Sequence, residues 1–187
     1  MKKVLLIVAV ALFSISAANA QFRAGLGLGY AIPSGDISDF TDGGIAFNLE
    51  VAYAVTEKID VGILAQFDGL VGTDIEISED VSAETGAVTV GSYLINGRYF
   101  FTEEGFRPYV GLGLGLATIS QASVSVDVGG QDIDVDVNES GLGLRPALGF
   151  KYGVLNMNVA YLSAGKIQDT SVADISFNIG LLFSFGG

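Results

Sequence analysis

Carboxylates are the side chains of this sequence best suited to chemistry, because the 187-residue chain holds 21 Asp and Glu but no His and no Cys. Without His or Cys, a chain lacks the serine triad, the thiol nucleophile, disulfides and the usual zinc ligands. A pair of carboxylates can act as acid and base, but no spacing here places such a pair in a pocket. The composition therefore predicts a protein that is not an enzyme, with no catalytic residues, no cofactor and no specific metal site.

The segment 123–138 carries aspartates at every second position, and this spacing raises the question of calcium binding: Asp132, Asp134 and Asp136. An EF-hand loop needs a glycine where Val137 stands, so the match to that motif fails. Alternating apolar residues around Gly129-Gly130 instead predict a hairpin in which two neighbouring strands continue past the rim of the fold. There are two alternatives. The hairpin could offer an exposed edge that pairs with a partner strand, or the aligned aspartates could hold a cation loosely.

Glycine-rich repeats do not indicate a nucleotide site in this chain. The series Gly25-x-Gly27-x-Gly29 lacks the G-x-G-x-x-G spacing that opens a helix after a strand. A net charge of −12 and the lack of a basic patch oppose binding to nucleic acid. The glycines fit better as small residues on one face of a strand.

The first 20 residues have the pattern of a secretory signal peptide. Lys2 and Lys3 precede an apolar stretch that ends at Phe13, and Ala18-Asn19-Ala20 is a small-residue cleavage site. The apolar stretch is shorter than the roughly 20 residues of a spanning helix. We therefore expect cleavage after residue 20 and a mature chain, 21–187, that forms a single domain.

After residue 20 the hydrophobic pattern has a period of two, which indicates β-strands rather than amphipathic helices. In the first segment, apolar residues from Phe22 to Ile32 alternate with Arg23, Ala31 and glycines. Pro146 removes a ladder donor from the sixth segment, so a bulge or an unpaired position is expected there. The eight segments with this period are 22–32, 45–55, 59–68, 92–100, 109–116, 141–152, 155–161 and 174–185.

Short and long connections alternate between these eight predicted strands. Three connections are turns of a few residues, and the other four are the segments 33–43, 69–85, 121–140 and 163–172. A transmembrane barrel has short turns on its periplasmic rim and longer loops on its outer rim. The connections therefore favour strands that run up and down through a membrane.

A soluble barrel of the lipocalin type, with an apolar lumen, is the main alternative. Only 16% of the residues are charged, whereas globular domains have about 25%. The apolar faces also carry more large residues than the interior of an eight-stranded barrel holds, and Tyr30, Tyr53 and Tyr152 lie near strand ends. The sequence therefore predicts an all-β fold, an eight-stranded antiparallel up-and-down transmembrane β-barrel.

Four segments carry a resemblance to a known family: Phe22 to Tyr30, Asn96 to Phe101, Arg107 to Gly113, and a last strand that ends in alternating aromatics. With them, the mature chain resembles the eight-stranded outer-membrane β-barrel proteins of Gram-negative bacteria, the porin-like group with OmpX, OmpW and the membrane part of OmpA. The resemblance implies a monomer in the bacterial outer membrane, in contact with lipid and lipopolysaccharide. It also implies assembly by the barrel-insertion machinery, which reads a terminal aromatic; Phe185, followed by two glycines, is the counterpart here.

Charged residues on the polar faces are expected in the lumen, where a charge must be paired or hydrated. Threading the strands up and down places Arg23, Glu50, Asp60 and Arg98 in the periplasmic half. We expect these four residues to form one hydrogen-bonded network that plugs the barrel, with a proton or ion path as the alternative. The other charges predicted to line the lumen are Asp68, Arg145, Lys151 and Asp174.

The long connections hold 14 of the 21 acidic residues, and Lys166 is their one basic residue. The outer rim is therefore expected to be strongly negative and to attract cationic surface partners, unless these charges serve only to keep the rim solvated. We expect an outer-membrane protein with a structural, surface-interaction or stress-protective role. A narrow porin-like channel for small solutes is the alternative, and the missing His disfavours a lipid-modifying enzyme.

Overall fold

The computed structural model describes most of the chain after residue 20. The predicted signal peptide, residues 1–20, lies outside the described residues. No helix among the residues described is long and apolar enough to cross a membrane. The structure describes residues 21–39, 41–72, 74–78, 81–85, 88–121, 124–127, 132–133, 137–167 and 170–186.

Strands make up nearly all of this described part of the chain. One short 3₁₀ helix, Gly35–Asp39, follows the first strand. In chain order the strands are β1 (Phe22–Ser34), β2 (Thr41–Ala54), β3 (Ile59–Gly72), β4 (Asp74–Ser78), β5 (Val81–Thr85), β6 (Val88–Phe100), β7 (Phe106–Gln121), β8 (Val124–Asp127), β9 (Asp132–Ile133), β10 (Val137–Tyr152), β11 (Leu155–Ile167) and β12 (Thr170–Phe185).

Eight of these strands close into a barrel in the order β1, β12, β11, β10, β7, β6, β3, β2, and β2 pairs with β1 again. All neighbouring pairs are antiparallel. The predicted eight-stranded up-and-down barrel is therefore confirmed. Its short turns, 55–58, 101–105 and 153–154, lie at one end, which we call the turn end, and the long connections lie at the other, the loop end.

Large apolar side chains point outward around the whole barrel, as the alternation predicts. The side chain of Ile95 in β6 is 69% exposed, and its register partners Ile63 and Leu114 are also exposed. Charged, polar and small residues line most of the lumen, and apolar side chains fill it only toward the loop end, so the apolar lumen of the lipocalin alternative is wrong. The outward residues include Leu28, Ile45, Ile63, Ile95, Leu116, Leu142, Leu148, Val159 and Ile179.

The strands extend further toward the loop end than the hydrophobic pattern indicates. β7 and β10 stay paired as far as Gln121 and Val137, and β3 continues to Gly72. Ladder hydrogen bonds join backbone groups and need no alternation of side chains, so pairing continues where the apolar pattern stops.

Pro146 interrupts one ladder of the barrel, as expected. The pairing of β10 with β11 has no partners at Arg145 and Pro146, although its register is unchanged on either side. On its other side β10 remains paired with β7, and Pro146 lies opposite Leu112. The interruption is local because proline removes only its own N–H donor.

The long connections contain a second sheet, which the sequence analysis did not foresee. The connection 69–85, treated as one loop, forms the hairpin β4–β5, and β8 pairs with both β5 and β9. The hairpin predicted within 123–138 is therefore present, but its strands join this second sheet instead of continuing β7 and β10. Pairing with β5 satisfies backbone groups that an isolated hairpin would leave exposed at its edge. Asp134 and Asp136, from the calcium alternative, lie outside the described residues.

Candidate functional site

The lumen of the barrel is the candidate site, because the charged residues singled out from the sequence lie there. Its polar side chains come from all eight barrel strands, since every second residue of each strand points inward. From the turn end to the loop end, these side chains form an ion-pair layer, an amide layer and an apolar layer.

The ion-pair layer at the turn end contains the four residues expected to form one network. The guanidinium of Arg23 in β1 lies 2.5 Å from the carboxylate of Asp60 in β3. Arg98 in β6 donates a hydrogen bond of 2.8 Å to Glu50 in β2 and lies 3.8 Å from Asp60. The four side chains therefore form an unbroken chain of ion pairs across the lumen, and all are largely shielded from solvent.

An aromatic side chain sits among the arginines of this layer. Phe100 is fully buried, and its ring centre lies 5.1 Å from the guanidinium carbon of Arg23, 5.8 Å from that of Arg98 and 4.1 Å from that of Arg107. These distances are within the range of cation–π attraction. The sequence pattern places Phe100 on the polar face of its strand but does not predict its contacts with the arginines.

Arg107 is a second residue of this layer that sequence analysis missed. It donates hydrogen bonds to the backbone carbonyls of Glu57 and Thr102, the latter at 3.2 Å. These carbonyls belong to two different turns, so Arg107 ties the turn between β2 and β3 to the turn between β6 and β7. Its position two residues before the inward-facing Tyr109 is the sequence signal that could have identified it.

Lys151 lies at the turn end but outside the chain of ion pairs. It is buried on β10, opposite Arg107 in the register with β7. Within the described part of the chain, no carboxylate lies within 4.0 Å of its ammonium group. The layer therefore holds four cations, Arg23, Arg98, Arg107 and Lys151, against Glu50 and Asp60.

Arg145 belongs to the next layer, where its partners are amides. Its Nε donates to Gln66 at 2.6 Å and its Nη2 donates to Asn158 at 3.2 Å. Asn178 donates to Asn158 and Ser176, and Asn48 donates to Asn178 at 3.1 Å. These bonds connect side chains from β2, β3, β10, β11 and β12, so the amide layer braces the barrel from within.

Glycines of β1 make room for these amides. A Cβ atom added to Gly27 would lie 2.8 Å from the side-chain oxygen of Asn48, and one added to Gly29 would lie 2.5 Å from that of Asn178. The repeat Gly25-x-Gly27-x-Gly29 is therefore a packing feature of the lumen.

One small cavity separates the ion-pair layer from the amide layer. Its volume is about 10 Å³, which is room for about one water molecule. Polar groups of Glu50, Arg98, Tyr109, Asn156 and Asn158 are among its lining. Two of these lining residues are bonded directly, since Tyr109 donates a hydrogen bond of 3.0 Å to Asn156.

The apolar layer closes the loop end of the lumen. The 3₁₀ helix turns the chain back over the barrel mouth, buries Ile37 and is joined to β12 by Asp36, which accepts hydrogen bonds from the backbone and hydroxyl of Ser171. Asp68 and Asp174 are buried at the edge of this layer that faces the amide layer. The buried apolar side chains of the layer include Ile37, Leu70, Val88, Val90, Ile119, Leu162 and Val172.

The eight charged residues predicted to line the lumen thus occupy three places. Arg23, Glu50, Asp60 and Arg98 touch one another at the turn end, and Lys151 lies beside them without an ion pair. Arg145 lies in the amide layer, and Asp68 and Asp174 lie beneath the apolar layer. This arrangement pairs or encloses the buried charges and fills the lumen along the barrel axis.

Comparison with known proteins identifies the family of the chain and finds solved structures with a similar fold. The model of the outer membrane protein β-barrel domain family matches residues 5–185. Among solved structures, Neisserial surface protein A is similar to this chain with 18% identity, 88% of this chain and 97% of that chain covered, and a TM-score of 0.61. No curated protein sequence matches the chain significantly.

Two further solved structures are similar at the level of fold. Ail of Yersinia pestis, in complex with the heparin analogue sucrose octasulfate, has 16% identity, covers 87% of this chain and 99% of its own, and has a TM-score of 0.56. The outer membrane protein OprG from Pseudomonas aeruginosa has 14% identity, covers 88% and 96%, and has a TM-score of 0.53.

Proposed function

The chain belongs to the outer membrane protein β-barrel family, and from that premise we propose that it is a non-conducting barrel that holds acidic loops at the cell surface. The protein lies in the bacterial outer membrane, in a lipid and lipopolysaccharide environment. Barrels of this kind place their turns in the periplasm and their long loops outside. The turn end is therefore periplasmic, and the ion-pair layer faces that compartment.

The filled lumen is the observation that supports a non-conducting barrel. A permeating solute would have to separate Arg98 from Glu50, displace Arg145 from Gln66 and pass the apolar layer around Ile37. Each step exposes a buried charge or apolar group, and breaking one buried ion pair alone costs about 3 to 5 kcal/mol. A structural or surface-interaction role therefore fits better than the alternative of a narrow channel.

The chemistry of the loops indicates the kind of partner. Acidic residues dominate three of the four long connections between barrel strands, including Asp74, Glu76 and Glu84 in the β4–β5 hairpin. The Ail structure contains a heparin analogue, which is a polyanion, and the loops of this chain carry the opposite charge to that required for such a ligand. We infer a cationic surface partner, attracted by the summed negative potential.

Three further points complete the proposal. Residues 1–20 are removed on export, so intact mass measurement of the mature protein gives a chain that starts at Gln21, one residue before β1. The barrel-insertion machinery inserts the protein into the outer membrane. The closed barrel leaves no free strand edge in the membrane, which suits a monomer.

Binding of a cationic probe tests the surface role. We expect fluorescent poly-L-lysine to bind the refolded barrel in nanodiscs of zwitterionic lipid, and the affinity to fall as salt is added. The triple variant Asp74→Asn, Glu76→Gln, Glu84→Gln should weaken binding at least about threefold at low salt, because charge at a surface governs steering and complementarity.

The matched control neutralises three acidic residues of the turn end, Glu57, Glu103 and Glu104, and should leave most of the binding intact. Equal loss in the two triple variants, or binding that salt does not change, would contradict a role for the loops.

A further inference from the structure

Two carboxylates lie buried in the lumen beneath the apolar layer. Asp68 in β3 is 0% exposed and Asp174 in β12 is 1% exposed. Gln66 connects the two strands, since its Nε2 lies 2.7 Å from Asp68 Oδ2 and 3.4 Å from the hydroxyl of Ser176, two residues from Asp174 on the same face. The carboxylates interact electrostatically with each other and with Arg145.

Around Asp68 and Asp174, the carboxylate oxygens outnumber the available hydrogen-bond donors. Gln66 donates to Asp68 Oδ2, but Asp68 Oδ1 and both oxygens of Asp174 have no hydrogen-bond partner among the described residues. Arg145 directs its Nε and Nη2 to Gln66 and Asn158, and no ion pair within 4.0 Å joins it to either carboxylate in the described part of the chain. Three buried carboxylate oxygens are therefore left without a donor.

A hydroxyl provides a further oxygen that has no partner. Ser92 in β6 is 0% exposed, and its Oγ makes no hydrogen bond within the described residues. It is the register partner of Gln66 and a diagonal neighbour of Asp68 across the β3–β6 pair. Diagonal neighbours on one face of a sheet lie within reach of each other's side chains, so the hydroxyl lies within reach of the Asp68 carboxylate.

The charges of this region do not balance. Asp68 and Asp174 contribute two negative charges and Arg145 is the cation that acts on both, so this part of the lumen has one excess negative charge. The apolar layer of Leu70, Val90 and Leu162 separates it from the loop end. A buried charge without a partner is strongly disfavoured, and the protein must neutralise it.

The geometry points to an internal site for one alkali-metal cation, held by Asp68, Asp174 and Ser92. Ligands that are all oxygen suit a hard cation, and one monovalent ion cancels the residual charge. Divalent ions fit less well, because the described residues contain no group of three or more His, Cys, Asp or Glu that could hold a metal. The bound ion would join β3, β6 and β12 from within the lumen.

Unfolding of the refolded full-length mature barrel in different salts tests this site. Urea titrations in lipid vesicles would compare LiCl, NaCl and KCl with tetramethylammonium chloride at equal concentration, with EDTA present. At least one alkali cation should raise the folding equilibrium constant, by about tenfold when its concentration is about ten times the dissociation constant. Equal unfolding curves in all four salts would overturn the site and assign the missing charge to a bound proton.

The variants Asp174→Asn and Asp68→Asn should each abolish the difference between alkali and tetramethylammonium salts. Asp42→Asn is the matched control, because it removes one negative charge from an exposed position of β2 and should retain the difference. If neither lumen variant folds, ²³Na NMR of the wild-type barrel decides: sodium line broadening that lithium reverses supports the site. Absence of broadening, together with salt-independent unfolding, overturns it.

Discussion

Arg98→Ala is expected to destabilise the barrel by about 3 to 5 kcal/mol, the usual cost of removing one partner from a buried ion pair. Arg98 lies 2.8 Å from Glu50 and 3.8 Å from Asp60, and its guanidinium packs against the rings of Phe100 and Tyr109. Its loss leaves Glu50 without its ion-pair partner and Asp60 with Arg23 alone. Urea unfolding in lipid vesicles, followed by heat-dependent gel mobility, measures the change.

Lys58→Ala is the matched control for Arg98→Ala, because it removes a cation from the same end of the barrel. Lys58 lies 3.3 Å from Glu103, but the two side chains are 39% and 52% exposed. An exposed pair contributes about 0 to 1 kcal/mol. If Arg98→Ala unfolds like Lys58→Ala, the ion-pair layer does not hold the strands together.

Ile95→Arg is expected to destabilise the protein by about 2 to 4 kcal/mol, the cost of an arginine on the lipid face near the bilayer midplane. Ile95 points outward, and its partners on the neighbouring strands, Ile63 and Leu114, are also aliphatic. The nearest outward aromatics on its strand, Tyr93 and Tyr99, lie on either side of it along the barrel axis. The guanidinium would therefore lie in hydrocarbon.

The control for Ile95→Arg is Val55→Arg, which places an arginine where the membrane ends. Val55 is exposed in the turn after β2, and near the interface an arginine costs about 0 to 1 kcal/mol. Equal stability of the two arginine variants in lipid vesicles would mean that the outward face of β6 does not contact hydrocarbon.

The fold was predictable because one rule, the period of two, governs nearly every residue of a barrel strand. Leu26 and Leu28 had to share a face and Arg23 had to lie on the other, whichever face proved to be inside. The excess of large apolar side chains then decided that the apolar face lies outside, since an eight-stranded lumen cannot contain them.

The ion-pair network was predictable only in part. Up-and-down threading fixes the height of a residue along the axis, and this placed Arg23, Glu50, Asp60 and Arg98 together. The alternation does not determine which side chains touch across the lumen. It therefore missed Arg107, which binds two turn carbonyls, and Phe100, which the arginines surround.

The second sheet could not be predicted from the sequence. β5 and β8 pair Ala83 with Val126, although the barrel strands β6 and β7 separate them in the chain. No local pattern specifies a partner at that distance, because each hairpin alone satisfies the same turn and alternation rules. The closure of the loop end by Ile37 could not be predicted for a related reason. Its short segment has no periodic hydrophobic pattern.

Single-channel conductance of the refolded mature protein in a planar bilayer tests the closed lumen most directly. The wild-type barrel, shown to be folded by its heat-dependent gel mobility, should give no discrete openings. The variant Arg98→Ala opens only the ion-pair layer, so it should stay silent as long as the amide and apolar layers remain. Reproducible openings of the wild-type protein, altered by Arg98→Ala or Asp60→Ala, would contradict a plugged lumen and establish a channel.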